Sequence, residues 1–589
     1  MTEPGANYSS TPTDKATSLR FAVMCNGTVF QRWQAEALKE LHGHGHRVTL
    51  LIVDDRKVLP ESRFRRILKK RPGTLLCSFL ENRLFKPNAK QNTDLYKALK
   101  DVDKLECRIE QKGYSQYFKP SDVERIELYQ LDFILRFGFG IIRGEILNAA
   151  RHGVWSFHHD DEMKYRGGPP GFWEIFRGDP VSGAVMQQLT DKLDGGIILK
   201  KGYLKTVMHS WKENLNQLLT VSAAWPAQVA DEIGRSRAFD AGENMAPVFP
   251  ASTTLAPVFR VPGNLEMLRF LLLLFRNRIR FYCSELFAAE IWNVGIISRP
   301  IHEIALQVKK LTEQDVKWLP RGTRSGYLAD PAGFFAGNQL HILAEDYSYI
   351  TQKARISEIV CQPGPEGVVL PGTSDVKATV VAGSSHLSYP FVFEHDSEVY
   401  CVPEAHQSGA ITLYRRNNLD GTFVASHVLL HDVPAVDPTL FLYNDTWWLF
   451  FTGREQSNSH LYLYFAADLH SEFKPHLQNP VKVDVRSSRP AGTPFVHENV
   501  LYRPAQDCSV TYGGRIAMNK IVKLTLETFE EETVNHIDPV AGSRFSKGLH
   551  TLSSAGHITL VDGKAYKFDY WFFRHQLLKK MGRKEQGHV

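Results

Sequence analysis

The sequence has few cysteines, and they are scattered. Its seven cysteines form no metal-ligand spacing and no regular pairing. Zinc-binding modules and disulfide-stapled secreted domains need clustered or paired cysteines, so both classes are excluded. We therefore expect reduced, buried thiols in a cytoplasmic protein that has no metal site.

Long apolar segments and a strong charge excess are also lacking. The longest apolar run, 270–275, is far shorter than the roughly 20 residues that cross a bilayer. The 70 Lys and Arg residues against 64 Asp and Glu give a net charge of +6, which is too mild to indicate a nucleic-acid partner. Residues 1–17 are polar and lack the apolar centre of a signal peptide, so we expect a disordered lead-in.

Length and a change in pattern predict a multidomain protein. A chain of 589 residues exceeds what one hydrophobic core usually holds. Apolar strands at 19–24 and 48–53 flank a helical stretch, as in the βαβ start of a Rossmann-like parallel sheet. From about residue 291, short aromatic and β-branched runs broken by turn residues predict an all-β region. The predicted segments are a lead-in (1–17), an α/β domain (18–240), a linker with a helix (241–287), a β domain (288–572) and a basic tail (573–589).

The β region repeats. A small or acidic residue, often followed by proline, precedes an apolar strand, a polar turn and an aromatic strand. The repeats begin at Asp330-Pro331, Tyr389-Pro390, Asp437-Pro438, Thr493-Pro494 and, more weakly, His550-Thr551. Their spacings of 48 to 59 residues are typical of four-stranded propeller blades and predict a five-bladed β-propeller.

One block, 153–196, indicates acyl transfer to an amine. It contains His158, a loop rich in glycine and proline, and Asp194, which lies 36 residues after the histidine. A histidine at a strand end can move a proton or stabilise an oxyanion, and an aspartate can hold its imidazole in one tautomer. The apolar strand 154–157 is expected to present His158.

The block resembles the formyltransferase family, which uses 10-formyltetrahydrofolate as its formyl donor. The resemblance lies in Ser156-Phe157-His158, in Tyr165-Arg166-Gly167-Gly168-Pro169-Pro170, in Leu193-Asp194-Gly195-Gly196 and in the strand and glycine turn over 131–140. It implies three catalytic residues, His158, Asp194 and Ser156. It also implies a set of donor-binding and loop residues: Phe137, Gly138, Gly140, Tyr165, Arg166 and Gly167.

Two positions depart from the family pattern. Ser156 stands where the family has an asparagine that donates a hydrogen bond to the reacting carbonyl. Asp160-Asp161-Glu162-Met163 stands where the family often has Ser-Leu-Leu-Pro. We expect this acidic segment to form a rim that suits an amine-bearing acceptor.

The β region resembles the five-bladed propellers of family-43-like glycosidases and the propeller domain of plant glucosamine inositolphosphorylceramide transferases. The resemblance lies in 292–295, 329–331, 503–507 and 548–551. It implies that Asp330, Glu404 and Asp437 are candidate acid and base groups, and that Arg503 and Asp507 are candidates for glycan binding. Alternatively, the Asp-Pro pairs start strands for structural reasons, because aspartate caps turns and proline fixes the strand entry.

These resemblances together predict an enzyme that formylates the amine of a small-molecule amino sugar, nucleotide-linked, during surface glycan synthesis. The propeller would recognise a sugar or glycan. One alternative is a glycan-active propeller, glycosidase-like or glycosyl-transferring, with a degenerate formyltransferase domain. Another alternative is a non-catalytic sugar-binding protein. The apolar and arginine-rich stretch 265–285 either packs between domains or makes a peripheral contact with an anionic membrane.

Overall fold

The computed structural model describes residues 17–55, 72–192, 195–239, 254, 256–320, 325–364, 367–369, 376–377, 380–381 and 386–585. The chain divides into a first unit, Thr13–Ile279, and a second unit, Arg280–Val589. The predicted lead-in, apart from residue 17, lies outside the described residues, and so do Asp194 and most of the non-helical part of the predicted linker. No described helix combines the length and apolarity needed to span a bilayer.

The first unit contains fourteen described strands and seven described helices before the long helix described below. The strands are β1 (Arg20–Cys25), β2 (Val29–Gln31), β3 (Arg47–Asp54), β4 (Asn92–Asp94), β5 (Asp103–Cys107), β6 (Ile109–Lys112), β7 (Ser115–Phe118), β8 (Phe133–Arg136), β9 (Ile141–Arg143), β10 (Val154–His158), β11 (Arg166–Gly167), β12 (Val181–Gln188), β13 (Ile197–Lys205) and β14 (Val258–Phe259). The helices are α1 (Arg32–Gly43), α2 (Leu75–Arg83), α3 (Tyr96–Leu99), α4 (Pro120–Glu127), α5 (Trp173–Arg177), α6 (Trp211–Ser222) and α7 (Trp225–Phe239).

Seven of these strands form one mixed sheet in the order β13-β12-β10-β8-β1-β3-β5. The five strands from β10 to β5 are parallel to their neighbours, and β12 and β13 are antiparallel. Strand β1 is buried from its second residue to its last, which explains why its sequence is a continuous apolar run rather than an alternating one. The carboxyl ends of β8 and β10 therefore lie at the same edge of the sheet.

The apolar pattern over 126–135 predicts a strand, and the structure differs from that prediction at its start. Helix α4 extends to Glu127, and strand β8 begins only at Phe133. Pro120 occupies the first turn of the helix, and Val123 and Ile126 are buried at helical spacing. Proline is favourable at that position, so the helix extends further than the apolar pattern alone indicated.

Two histidines attach helix α1 and the start of β3 to helix α7. His44 Nδ1 lies 2.6 Å from one Asp231 carboxylate oxygen, and His46 Nε2 lies 3.1 Å from the other. His46 Nδ1 accepts the Leu19 amide at 3.2 Å, so its Nε2 carries the proton. Burial alone would raise the pKa of Asp231, but the hydrogen bonds from His44 and His46 lower it to about 2.

We predict that Asp231→Asn lowers the free energy of unfolding by about 1–3 kcal/mol at neutral pH, because a buried charge-assisted network loses its carboxylate. The pKa of Asp231 is depressed in the folded state, so its contribution is present above the unfolded value of about 4 and is lost as the pH falls toward 2. The hydrogen bond to Asp231 raises the pKa of His44, so the His44 contribution declines as the pH rises through that raised value.

Urea denaturation at several pH values measures both effects. The exposed Asp101→Asn is the control, and equal stability of the two variants would contradict the prediction.

One long helix, α8 (Asn264–Phe287), begins in the first unit and ends in the second. The second unit also contains α9 (Ile301–Gln307) and α10 (Tyr570–Glu585). Helix α10 covers most of the predicted basic tail. The strands of this unit are β15 (Ala289–Ile297), β16 (Lys310–Thr312), β17 (Lys317–Trp318), β18 (Gly326–Ala336), β19 (Gln339–Ser348), β20 (Lys353–Gly364), β21 (Gly367–Val369), β22 (Val376–Lys377), β23 (Ser388–His395), β24 (Glu398–Glu404), β25 (Ile411–Arg416), β26 (Phe423–Leu430), β27 (Ala435–Tyr443), β28 (Thr446–Gly453), β29 (His460–Ala466), β30 (Lys474–Pro475), β31 (Lys482–Val483), β32 (Phe495–His497), β33 (Val500–Asp507), β34 (Arg515–Leu524), β35 (Phe529–Ala541), β36 (Leu552–Ala555) and β37 (Ile558–Lys567).

These strands form five sheets of four or five strands, antiparallel except where β16 joins β35. The sheets are β18–β22, β23–β26, β27–β31, β16 with β32–β35, and β17 and β15 with β37 and β36. Three of the predicted repeats begin within the first strand of a sheet, β18, β23 or β27, and the other two begin two residues before β32 and β36. In the fifth sheet β15 pairs with β37, so the two ends of this β region are joined by hydrogen bonds.

Candidate functional site

Ser156 and His158 lie on strand β10, at its carboxyl end. Side chains two residues apart point to the same face of a strand, and both residues line one cavity of about 160 Å³. Pairing with strand β12 fixes the position of both residues along the sheet, because Ser156 pairs with Gln187 and His158 pairs with Val185. The cavity is completed by Arg136, Gly140–Arg143, Phe157, Gln187, Leu189–Lys192 and Gly196. The structure therefore brings together two of the three predicted catalytic residues.

Arg136, which we did not predict, determines what Ser156 can do. Its Nε and Nη2 both donate to Ser156 Oγ, at 3.1 and 2.7 Å. Its Nη1 donates to the carbonyl oxygens of Phe139 and Gly140, at 3.2 and 2.6 Å. A hydroxyl has two acceptor positions and one proton. With both acceptor positions occupied, the Ser156 proton remains available to a group in the cavity.

The imidazole of His158 is held by the loop that follows the strand. Its Nε2 lies 3.1 Å from the Tyr165 carbonyl oxygen and 3.9 Å from Asp160 Oδ2. A carbonyl can only accept, so Nε2 carries the proton in this contact and Nδ1 is the nitrogen that can accept one. The pairing of His158 with Asp194 stays a prediction, because Asp194 lies outside the described residues.

The predicted loop residues Tyr165, Arg166 and Gly167 hold the loop in place. The Tyr165 hydroxyl donates to Asp179 at 3.3 Å, and Arg166 Nη1 donates to the Ala256 carbonyl at 3.3 Å. Strand β11 pairs with β14, which places Gly167 opposite Phe259. Gly167 has φ +94°, and a Cβ there would overlap the Phe259 carbonyl. Only glycine fits this position, because the backbone is left-handed and the neighbouring strand is in contact.

The predicted turn residues Phe137, Gly138 and Gly140 occupy different environments. Phe137 packs edge-on against Trp33, with ring centroids 5.4 Å apart. The Gly138 amide donates to the Met24 carbonyl at 2.9 Å. Gly140 alone of the three lines the cavity, where its carbonyl accepts from Arg136.

The acidic segment does not form the expected rim. Asp160, Asp161 and Glu162 are all buried. Asp160 Oδ1 accepts the Gly171 amide at 2.9 Å, and its carboxyl adjoins that of Glu174. These acids fold inward because the glycine-proline loop supplies a backbone donor that the sequence pattern did not reveal. His159 is buried as well, and its Nε2 lies 3.0 Å from Ser222 Oγ.

Asp160 and Glu174 form a buried carboxyl pair beside His158. Glu174 is fully buried, and its carboxyl faces that of Asp160. Burial raises the pKa of Glu174 to about 7. Burial, and then the adjoining Glu174, raise the pKa of Asp160 well above its usual range. Two carboxyls this close hold one proton between them near neutral pH.

We predict that Glu174→Gln changes how stability depends on pH. The raised pKa of Glu174 means that its contribution is complete below the unfolded value and is lost as the pH rises through about 7. Glutamine carries no charge, so the variant should be more stable than the parent by about 2 kcal/mol at alkaline pH. The two proteins should converge below about pH 4, where Glu174 is protonated in both the folded and the unfolded state. Urea denaturation at each pH, with the exposed Glu124→Gln as control, measures this difference. Parallel curves at all pH values would contradict it.

A second candidate site lies at the starts of the repeats in the second unit. Asp330, Tyr389 and Asp437 have φ values of +50°, +43° and +52°. Each precedes a proline and lies within a bulge of its strand, where the register shifts. A non-glycine residue at positive φ is uncommon and costs energy. The same strained bulge in three sheets thus turns three polar side chains toward one place.

Three hydrogen bonds hold the Asp437 carboxylate. Arg489 donates to both of its oxygens, at 2.6 and 3.3 Å, and Gln506 donates at 2.9 Å. The Asp437 amide donates to Glu404 at 3.2 Å, and His406 Nδ1 lies 2.8 Å from the other Glu404 oxygen.

The pKa values of Asp437 and Glu404 shift in opposite directions. Burial raises the pKa of Asp437 to about 7 despite Arg489. Burial also acts to raise the pKa of Glu404, but His406 and Arg489 outweigh it, so that pKa is lowered. Near neutral pH, Asp437 is therefore partly protonated while Glu404 is ionised.

Asp330 belongs to a neighbouring network with His550 and Asp562. His550 lies 3.3 Å from Asp330 through Nε2 and 2.5 Å from Asp562 through Nδ1. The donor atoms of the three residues lie within 4.8 Å of one another, as metal ligands would. However, Asp562 already accepts three backbone amides, those of Asp330, His550 and Thr551. Burial acts to lower the pKa of His550, yet the two aspartates outweigh it and raise that pKa, so the cationic form of His550 is favoured between them.

Glu345 is a further buried carboxyl that sequence reasoning missed. Burial, and then Asp330, raise the pKa of Glu345 well above its usual range. It lies at the end of β19 that pairs with the start of β18. The available signal was an acidic pair, Glu345-Asp346, directly after the strand sequence 340–344.

Arg503 and Asp507 have partners of their own. Arg503 is fully buried and donates to Glu531 at 2.9 and 2.6 Å and to the Ser487 carbonyl. Asp507 accepts from Arg515 at 2.9 Å and from the Ser509 amide. Both residues link strands within the fourth sheet and the loop before it, so glycan binding by them stays a prediction.

The chain is similar to parts of two kinds of known protein. A family model described as Glucosamine inositolphosphorylceramide transferase 1, N-terminal, matches residues 311–563. Over 220 residues the chain is 33% identical to glucosamine inositolphosphorylceramide transferase 1 of Oryza sativa subsp. japonica, covering 36% of this chain and 29% of that protein. Over 103 residues it is 29% identical to methionyl-tRNA formyltransferase of Prochlorococcus marinus, covering 17% of this chain and 30% of that protein.

Among solved structures, glycinamide ribonucleotide transformylase 1 from Symbiobacterium toebii has a TM-score of 0.25 at 15% identity, covering 37% of this chain and 89% of that chain. A GH43 β-xylosidase/α-arabinofuranosidase from a compost microbial metagenome has a TM-score of 0.27 at 13% identity, covering 37% and 78%. The chain spans less than a third of the length of either sequence relative. Both of those relatives are transferases by name, and the chain is similar to a part of each.

Proposed function

We propose that the first unit transfers a formyl group from 10-formyltetrahydrofolate to the amine of an amino sugar. The observation that carries the proposal is that Ser156, His158 and Arg136 meet at one cavity, with the Ser156 proton available. In this arrangement Ser156 can take the place of the asparagine expected at position 156. A hydroxyl whose lone pairs are both held by a guanidinium can donate only its proton, as the amide it replaces would.

The reaction needs a polarised carbonyl and a proton path. 10-Formyltetrahydrofolate supplies the formyl carbon, and the amine forms a C–N bond to that carbon while its bond to N10 breaks. Ser156 donates to the formyl oxygen and stabilises the negative charge that develops there. His158 accepts a proton of the amine through Nδ1 and returns it to the departing nitrogen. The positive charge of Arg136 lies one hydrogen bond behind Ser156 and strengthens its donation.

We further propose that the second unit is a five-bladed propeller that recognises a sugar. The starts of its repeats are linked directly: the Tyr389 hydroxyl contacts Thr439 Oγ1 at 2.9 Å, and it accepts the Gly492 amide at 2.8 Å. Thr551 donates to Asp330 at 3.1 Å. These bonds link the second repeat start to residues next to or near the third and fourth starts, and the first repeat start to the residue after the fifth. The name of the rice relative includes glucosamine, which supports an amino sugar as the acceptor.

Release of tetrahydrofolate from 10-formyltetrahydrofolate, with a panel of nucleotide-linked amino sugars, tests the proposed activity. We expect acceptor-dependent release that falls about 10²–10³-fold in Ser156→Ala and about 10²–10⁴-fold in His158→Ala. Arg136→Met should resemble Ser156→Ala, because the serine then loses its two donors. His42→Ala, an exposed histidine of the same unit, is the matched control and should retain full activity.

Acceptor-dependent release that persists in His158→Ala, or that falls equally in His42→Ala, would contradict the proposal. Circular dichroism of each variant separates a loss of chemistry from a loss of fold.

A second candidate function is glycan chemistry at the repeat starts. The opposed pKa values of Asp437 and Glu404 support it, because an acid and a base are assigned when two nearby carboxyls are pushed apart. We predict that, under this function, Asp437→Asn removes activity on a glycan or glycosyl donor while His158→Ala does not. Glu124→Gln, on the surface of the first unit, is the control. Activity that survives Asp437→Asn would exclude this role.

A further inference from the structure

Helix α8 presents an apolar stripe to solvent in addition to the face that it buries. Met267, Phe270 and Leu274 are buried in the core of the first unit. On another face, five apolar side chains are between 48% and 70% exposed: Leu265, Leu268, Leu272, Phe275 and Ile279. Their spacing of three and four residues places them in one continuous line along the helix. A large apolar patch of this kind marks an interaction surface.

The buried face holds the helix in place, so the exposed stripe is a stable feature of the unit. Phe270 stacks on Phe172 with ring centroids 4.1 Å apart. Asn277 Nδ2 donates to the Met208 carbonyl at 3.0 Å. The stripe therefore cannot turn inward without breaking these contacts.

Arginines border the stripe on both sides. A residue advances by 100° around a helix, which places Arg269 and Arg276 along one border and Arg278 along the other. All three arginines are exposed. If two copies of this helix paired through the stripe, these residues would occupy the flanking positions, where like charges repel in either orientation. The charge pattern therefore opposes self-association and suits a partner with negative charge.

We propose that the stripe and its three arginines bind a membrane surface that carries anionic lipid. In this arrangement the helix lies in the plane of the interface, with its apolar side chains between the acyl chains and its arginines among the phosphates. The helix has 24 residues, and no described helix is both long and apolar enough to span a bilayer. The proposal is independent of the chemistry proposed above.

Co-sedimentation of the full chain with vesicles tests this proposal. We expect binding to phosphatidylcholine vesicles that contain phosphatidylserine, and little binding to pure phosphatidylcholine vesicles. Each arginine near such a surface contributes about fivefold to the partition coefficient, so Arg269→Gln, Arg276→Gln and Arg278→Gln together should reduce it on the order of a hundredfold. Binding should also fall in high salt, because the Debye length shortens to about 3 Å at 1 M.

The apolar side chains are tested by a second variant. Leu272→Glu with Phe275→Glu should reduce binding by more than about tenfold, because the charged side chains cannot enter the interface. The matched control is Leu128→Glu, an 82% exposed leucine of the same unit, which should bind as the parent does. Equal binding to neutral and anionic vesicles, or no binding to either, would overturn the proposal. So would self-association in sedimentation velocity that Leu272→Glu with Phe275→Glu abolishes, because the occupant would then be a second copy.

Discussion

A half-buried guanidinium is the constraint on which the first unit's site depends. Arg136 ends strand β8, and burial lowers the pKa of its guanidinium. It must therefore find acceptors in the protein, and it uses Ser156 on the next strand and two carbonyls of its own following turn. These bonds fix the turn over 137–140 against β10. They also decide the direction of the Ser156 proton, from which the rest of the proposed chemistry follows.

The second unit also buries ionisable groups, but it pairs them with cations. Strained bulges before prolines turn Asp330 and Asp437 inward, where burial makes their ionisation costly. Cations then restore part of the balance: Arg489 at Asp437, and His550 at Asp330. Paired buried charges of this kind contribute little net stability. Two of the three equivalent strained positions carry such a pair, and Tyr389 occupies the third.

Much of the fold could be predicted from the periodicity of apolar residues and from the order of motifs along the chain. The apolar run of β1, the strand before His158 and the five repeat starts all correspond to elements of the structure. The companions of the site residues were not predictable in this way. Arg136, Arg489 and Glu345 act through partners 15 to 52 residues away along the chain, and no local pattern records such a pairing. The prediction that the acidic segment 160–162 forms a rim was wrong for the same reason. A backbone donor in a later loop and the Glu174 carboxyl draw Asp160 inward.

The most direct measurement is the mass of the acceptor after incubation with donor labelled with ¹³C in the formyl group. The account predicts that an amino sugar gains one labelled carbonyl at its nitrogen in the presence of the parent protein, and that it gains none with His158→Ala. If no labelled amide forms with any amino sugar while both proteins remain folded and bind the donor, the claim that the Ser156–His158–Arg136 cavity transfers a formyl group is wrong.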